Sequence, residues 1–332
     1  MKANQSGKEI KAPRGFDVYQ DVMQEYSKTL NNWDNVGKTD LYSTGLEVMD
    51  EYLCGGFGQR GQGEIVLIHS ASKCFKSTLS MQLVRDPLER GVKMGWIILE
   101  GGMFRAFRNL RQTYAQEGYE KCDAILKANQ QNIFSMSEEM QYSEFSMDNV
   151  ISWMKYLYAT KGVQFFLIDP IGYLSDYSSD WGTPDYKKES KFMKNLVQFA
   201  DQTCSTVICL QHNTKGNDFD DKHRESAIGG SQSFSKSPTK VIEIRREGLL
   251  APEDPSKGRL MSMEFYMGRD VMDKRGYPLL FNVQFHPDGK GKFFSVPKYD
   301  TQEDADASLS GGRGRKDGRH VWWGQVEPEV RF

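Results

Sequence analysis

A lysine and two hydroxyl residues, Lys76-Ser77-Thr78, close a short stretch that reads Ser70-Ala71-Ser72-Lys73-Cys74-Phe75. Directly before it stands the apolar, mostly β-branched run Ile65-Val66-Leu67-Ile68-His69. A strand, a small-residue loop and then Lys-Ser opening a helix is the layout that wraps phosphates in backbone N–H groups. In that chemistry the Lys reaches the terminal phosphates and the Ser hydroxyl sits on magnesium. Residues 70–78 are therefore the expected binding segment for ATP or another NTP, with Mg2+ on Ser77. The match is incomplete. The signature G-x-x-x-x-G-K-[ST] has Ser70 and Phe75 where its two glycines stand.

If Lys76 grips a phosphate, a magnesium-positioning carboxylate should end a neighbouring buried strand, because ligands of open α/β sheets bind at that edge. Phe165-Phe166-Leu167-Ile168-Asp169 has this form, which makes Asp169 the second expected metal ligand. Hydrolysis also needs a group that orients and polarises water. Trp96-Ile97-Ile98-Leu99 ends in Glu100, followed by Gly101-Gly102, and Glu100 is the residue expected in that role. A strand-end acid that only caps a turn or meets solvent is the plainer reading of each. A further run, Val207-Ile208-Cys209-Leu210, ends in Gln211-His212, an amide and an imidazole able to sense the γ-phosphate, with Gln211 the expected sensor. The segment after it carries Lys215, Lys222, His223 and Arg224, which are suited to a nucleic-acid backbone. Asp218, Asp220 and Asp221 offset those cations, so a solvated loop of mixed charge explains the same composition.

The elements that must position these groups follow from the hydrophobic pattern. Apolar runs predict strands at 64–69, 94–99, 164–168, 206–211 and 240–245, separated by helices at 77–90, 103–116, 149–159 and 187–202. That alternation predicts an α/β fold: a mostly parallel, twisted sheet flanked by helices. Strand–turn–strand patterning at 260–266, 279–285 and 292–296 predicts an antiparallel C-terminal extension. Residues 1–15 read as a disordered, polar N-terminus. Residues 16–41 hold a linker helix whose stripe of Val18, Val22, Tyr26 and Leu30 must dock on its own domain or a neighbour. The main domain spans 42–300, and a flexible, Gly- and Arg-containing tail covers 301–332.

The chain has 332 residues, enough for one large domain with appendages. No apolar run approaches the roughly 20 residues of a membrane span. The polar start lacks the apolar core of a signal peptide, so a cytoplasmic protein is expected. Its five cysteines lack C-x-x-C spacing, which argues for reduced thiols rather than disulfides or zinc. A net charge of −2 excludes a globally basic nucleic-acid coat and leaves a local basic lining open.

The order of phosphate loop, strand-end Glu100, strand-end Asp169, Gln211-His212 and basic loop, then Ser226-Ala227-Ile228-Gly229-Gly230-Ser231, resembles the RecA-like motor of ring-shaped replicative helicases. That family includes DnaB, Twinkle and the phage primase–helicases. Ser43-Thr44-Gly45-Leu46-Glu47-Val48-Met49-Asp50 with Gly55-Gly56-Phe57 is similar to its opening motif. Val241-Ile242-Glu243-Ile244-Arg245-Arg246 leads to Gly268-Arg269-Asp270, where the family carries an arginine finger reaching a neighbour's nucleotide. The resemblance therefore implies Arg269 as finger, a P-loop NTPase activity, single-stranded DNA, a hexameric ring and a DNA-replication role. It also implies a separate primase or polymerase as partner. Two departures stand out. Met267 replaces a family lysine, and the loop reads S-K-x-F-K-S, as in RecA-type recombinases of large phages. A phage-encoded chain in the host cytoplasm is the corresponding expectation. Three functions fit: a helicase, a recombinase or mediator forming filaments, and a nucleotide-binding adaptor without hydrolysis.

Overall fold

In the computed structural model six parallel strands form the body of one nine-stranded sheet, and three antiparallel strands extend it. The structure describes residues 41–46, 49–50, 53, 55–58, 63–71, 74–136, 146–176, 185–213, 234, 236–246, 260–268, 279–284 and 294–296. In chain order the elements are β1 (Leu41–Tyr42), β2 (Phe57–Gly58), β3 (Glu64–Ser70), α1 (Lys76–Leu83), α2 (Arg85–Glu89) and β4 (Met94–Ile98). There follow α3 (Gly102–Gln112), α4 (Tyr119–Ala128), β5 (Ile133–Ser135), α5 (Met147–Lys161), β6 (Phe165–Asp169), α6 (Tyr173–Asp176) and α7 (Asp185–Thr203). The C-terminal strands are β7 (Thr206–His212), β8 (Lys240–Arg246), β9 (Leu260–Gly268), β10 (Leu279–Gln284) and β11 (Phe294–Val296). The sheet order is β11-β10-β9-β8-β3-β7-β6-β4-β5, with β1 and β2 paired separately.

The central strands are apolar along their whole length because both faces are covered. Every residue of β3 is buried. Val66 and Ile68 face a core layer shared with Leu79, Leu83 and Leu110 from α1 and α3, whereas Ile65 and Leu67 face Met154, Leu157, Phe192 and Phe199 from α5 and α7. The period-two alternation of strand side chains divides one apolar run between two layers. At the opposite edge from the loop, buried Glu64 pairs with Lys240 of β8 and accepts a hydrogen bond from the Gly58 N–H. This ties the β1–β2 pair to the sheet.

The opening motif is a clamp on α1 and α2. The Thr44 hydroxyl and N–H both donate to Asp50 Oδ1 at 2.7 Å, and the Ser43 N–H donates to Asp86 Oδ2 at 2.9 Å. Gln82 of α1 donates to the Thr44 carbonyl at 3.3 Å. At Gly56 (φ 125) an added Cβ would fall 2.1 Å from the Tyr42 carbonyl oxygen, so the chain crossing there admits only glycine.

Two expectations need correction. The single helix expected over 77–90 is broken at Val84 into α1 and α2. Pro87 has no N–H to return to the Leu83 carbonyl, and its ring excludes a continuous turn there. A short helix, α4, and a three-residue edge strand, β5, lie in the stretch 117–148, where no element was expected. The remaining strands and helices fall where the pattern placed them, within a few residues. Residues 16–33, the basic segment 215–224 and the tail 301–332 lie outside the described residues.

Candidate nucleotide site

Three parallel strands bring the site together at their carboxyl ends. β7 pairs with β3 so that His212 lies beside Ser70, and β6 pairs with β4 so that Asp169 lies beside Ile98. The chain leaves β3 through α1 and α2, passes β7 and β6, and returns as β4. The crevice this opens at the strand ends is the usual ligand position of such sheets. His212, at the end of the intervening strand, therefore stands between the loop after β3 and the acid after β4.

Lys76, at the head of α1 and 6% exposed, is the centre of the site. Its ammonium donates to the Ser70 carbonyl (3.1 Å), the Ser70 hydroxyl (3.0 Å) and the Ala71 carbonyl (3.1 Å). It also lies 3.2 Å from His212 Nδ1, and His212 Nε2 lies 3.2 Å from Glu100 Oε2. A lysine ammonium can only donate, so Nδ1 accepts and the proton sits on Nε2, which donates to Glu100. Burial, followed by the Lys76 charge, lowers the His212 pKa, in keeping with a neutral ring of that tautomer. Tyr173 stacks on the same imidazole, ring centroids 6.4 Å apart.

Ser77 hydrogen-bonds the Asp169 carboxylate, which joins the two expected metal ligands. Burial raises the Asp169 pKa to about 6, and the neighbouring Glu100 charge adds to the rise. Ser77, Lys76 and Arg105 oppose it. A hydroxyl and a carboxylate are the hard oxygen donors that magnesium takes alongside substrate phosphates. Among the described residues no group of three or more His, Cys, Asp and Glu could form an all-protein metal cage. The donor set thus fits Mg2+ held jointly with a nucleotide.

Phe75 occupies the position of the second signature glycine and has φ 61, ψ 27, the left-handed conformation. A glycine adopts this at no steric cost, and a phenylalanine does not. Its carbonyl receives the N–H groups of Thr78 and Leu79, both at 3.0 Å, so the strained residue starts the helix that carries Lys76. Its ring is 39% exposed.

Lys76, Ser77, Asp169 and Glu100 are brought together, with Ser70 and Ala71 against Lys76. Cys74 is buried beneath the loop, and Thr78 follows on α1. Gln211 is placed differently: 5% exposed, its Oε1 accepts the Gly172 N–H at 3.0 Å, in the turn after Asp169. His212 is the member of that pair standing between Lys76 and Glu100. Ser72, Lys73, Lys215, Lys222, His223, Arg224 and Arg269 lie outside the described residues. Sequence reasoning did not name Arg105 of α3, whose charge acts on Asp169. Nor did it name Tyr173. Only the turn Gly101-Gly102 between Glu100 and α3 hinted that the helix folds back over the site.

No family model and no curated protein sequence matches the chain. Solved structures do match. The ATPase domain of a DnaB-like helicase aligns with a TM-score of 0.63 at 15% identity, over 83% of this chain and 98% of its own. A DnaB-like replicative helicase, solved with attention to its interactions with primase, aligns with a TM-score of 0.61 at 14% identity, over 84% of this chain and 68% of its own. The RadB recombinase aligns with a TM-score of 0.52 at 17% identity, over 76% of this chain and 99% of its own. Likeness at such identities speaks for the fold, and this chain has the RecA-like ATPase fold.

Proposed function

We propose that this chain is the ATP-hydrolysing motor of a DNA helicase that translocates on single-stranded DNA as a ring-shaped homo-oligomer during replication. The observation that carries the reading is the line Lys76–His212–Glu100 beside the Ser77–Asp169 pair, all on one sheet edge. Lys76 binds the terminal phosphates, and Glu100 accepts a hydrogen bond from the attacking water. The water oxygen adds to the γ-phosphorus as the bridging P–O bond breaks. ADP leaves with that electron pair, and the water proton passes toward Glu100. Ser77 and Asp169 would hold Mg2+, which neutralises phosphate charge. Arg269 of a neighbouring copy completes the site in this reading.

His212 is the natural relay from nucleotide to DNA. It touches both Lys76 and Glu100 and precedes the segment carrying Lys215, Lys222, His223 and Arg224 by a few residues. Rearrangement at Lys76 when phosphate leaves would bias that segment between discrete states. The purified protein should show ATPase activity stimulated by single-stranded DNA and should unwind a forked duplex, both lost in Lys76→Ala. Absence of stimulated hydrolysis in the wild-type protein sinks the reading.

A second reading, a recombinase forming filaments on single-stranded DNA, is supported by the likeness to RadB and by the S-K-x-F-K-S loop. Imaging on single-stranded DNA with a non-hydrolysable analogue separates the two as closed rings or open helical filaments. A primase partner is suggested by the DnaB-like neighbour, which was solved with its primase interactions in view. No helix among the described residues is long and apolar enough to cross a membrane. The host cytoplasm of a phage is the compartment we infer.

A further inference from the structure

Arg105 stands one turn into α3, the helix that begins at Gly102, two residues beyond Glu100. Its side chain folds back over the turn joining them. A Cβ added at Gly101 would lie 2.4 Å from Arg105 Cδ and 3.0 Å from its Nη1, so the missing side chain at Gly101 is what lets the guanidinium lie there. Gly101 itself has φ 79, a conformation glycine adopts freely. The Arg105 charge is felt at the Asp169 carboxylate, so the guanidinium faces the metal and phosphate end of the site. Among the described residues it makes no ion pair, whereas Arg111 of the same helix is held by Asp123 through two 3.0 Å hydrogen bonds. The first turn of α3 contains no acid that would neutralise it.

We propose that Arg105 is a cation supplied in cis to the terminal phosphate of bound ATP, on the side of the site opposite Lys76. A planar guanidinium binds phosphate oxygens through two parallel hydrogen bonds and keeps its charge at any working pH. It discriminates ATP from ADP because its partner oxygens are those of the γ-phosphate. The inference rests on the ATP-site reading above and adds a residue to it.

The test is equilibrium binding of ADP and of a non-hydrolysable ATP analogue to the wild-type, Arg105→Ala and Arg105→Lys proteins, with single-stranded DNA present. Arg105→Ala should weaken the analogue by about tenfold or more and leave ADP within about twofold, since one charge-assisted contact is lost. Arg105→Lys should recover part of the analogue affinity, the charge remaining without the fork. Turnover in Arg105→Ala should fall by about two orders of magnitude, as when one transition-state donor is removed. Equal losses for ADP and analogue would mark a structural role and overturn the proposal. So would Arg105→Ala binding both nucleotides like the wild type. Wild-type protein that binds neither nucleotide overturns the ATP-site reading itself, so the two failures are distinct.

Discussion

Two residues of the site are held at an energetic cost that single substitutions can expose. Phe75 sits in the left-handed region, which penalises an L-residue by roughly 1–2 kcal/mol. Glycine avoids that penalty but costs roughly 0.5–1 kcal/mol through the unfolded chain. Phe75→Gly should therefore stabilise the protein slightly, by about 0.5 kcal/mol, and keep nucleotide affinity, as chemical denaturation and a binding titration will show. Collapse of binding would mean that the ring holds the loop's shape. Asp169 has its pKa raised to about 6 from 3.8, chiefly by burial. The folded state thus holds a proton that the unfolded state releases, so its stabilising contribution is complete below the unfolded pKa and lost as pH rises through 6. Asp169→Asn should be more stable than wild type above that pH, by on the order of 1–3 kcal/mol, in protein free of nucleotide and magnesium. The two melting curves should converge toward about pH 4, near the unfolded pKa. A wild-type protein as stable as the variant at about pH 7.5 contradicts the assignment.

At the scale of elements, what aims α3 at the site is a polar anchor on its far side. Arg85 of α2 is buried, donates to the Thr113 carbonyl at 2.7 Å and to Glu117 Oε1 at 2.5 Å, and stacks 3.8 Å over the Tyr114 ring. Tyr114 in turn donates to Glu89 Oε1 at 2.9 Å. Arg85→Ala should destabilise the fold by about 2–4 kcal/mol, because it strips packing as well as a desolvated ion pair. It touches no site residue, so nucleotide affinity at low temperature should hold. A denaturation midpoint unchanged from wild type would show that α2 and the α3–α4 turn are held by their apolar contacts alone. None of this network was legible in the sequence, since Arg85, Tyr114 and Glu117 meet only through the fold. The strands were legible for the opposite reason: each central run is apolar throughout, and burial on both faces demands just that. β5 escaped notice because an edge strand of three residues carries too little pattern, and the break at Val84 because the helical periodicity continues past Pro87. The site divides in the same way. Lys76, Ser77, Glu100 and Asp169 were readable from position at strand ends, whereas the exchange of roles between Gln211 and His212 depends on which way each side chain leaves β7.

Viewed as a whole, the molecule presents its site on an open edge. The side chains of Glu100 and His212 are 40% and 33% exposed, although Lys76 beside them is buried. A site that must exclude water during phosphoryl transfer is thus covered on one side only by its own chain. A neighbouring copy supplying Arg269 would close it, in the manner of arginine fingers given in trans. A shared site has a consequence that a self-contained one lacks. Lys76→Ala and Arg269→Ala proteins should each be nearly inactive alone, because every site in each lacks one essential cation. Co-expressed in equal amounts and purified as mixed oligomers, they should regain DNA-stimulated ATPase activity. An intact site then forms wherever an Arg269→Ala chain contributes Lys76 and a Lys76→Ala chain contributes the finger. With random placement in a closed ring that is about one interface in four, so recovery should approach about a quarter of the wild-type rate. A preparation shown to contain both chains in each particle, yet no more active than either alone, would place Arg269 outside the neighbour's site. A mixture of Lys76→Ala with Glu100→Ala should stay inactive under either outcome, since both residues serve the same chain's nucleotide. The pair of mixtures therefore separates a shared site from a self-contained one without any knowledge of how the copies are arranged.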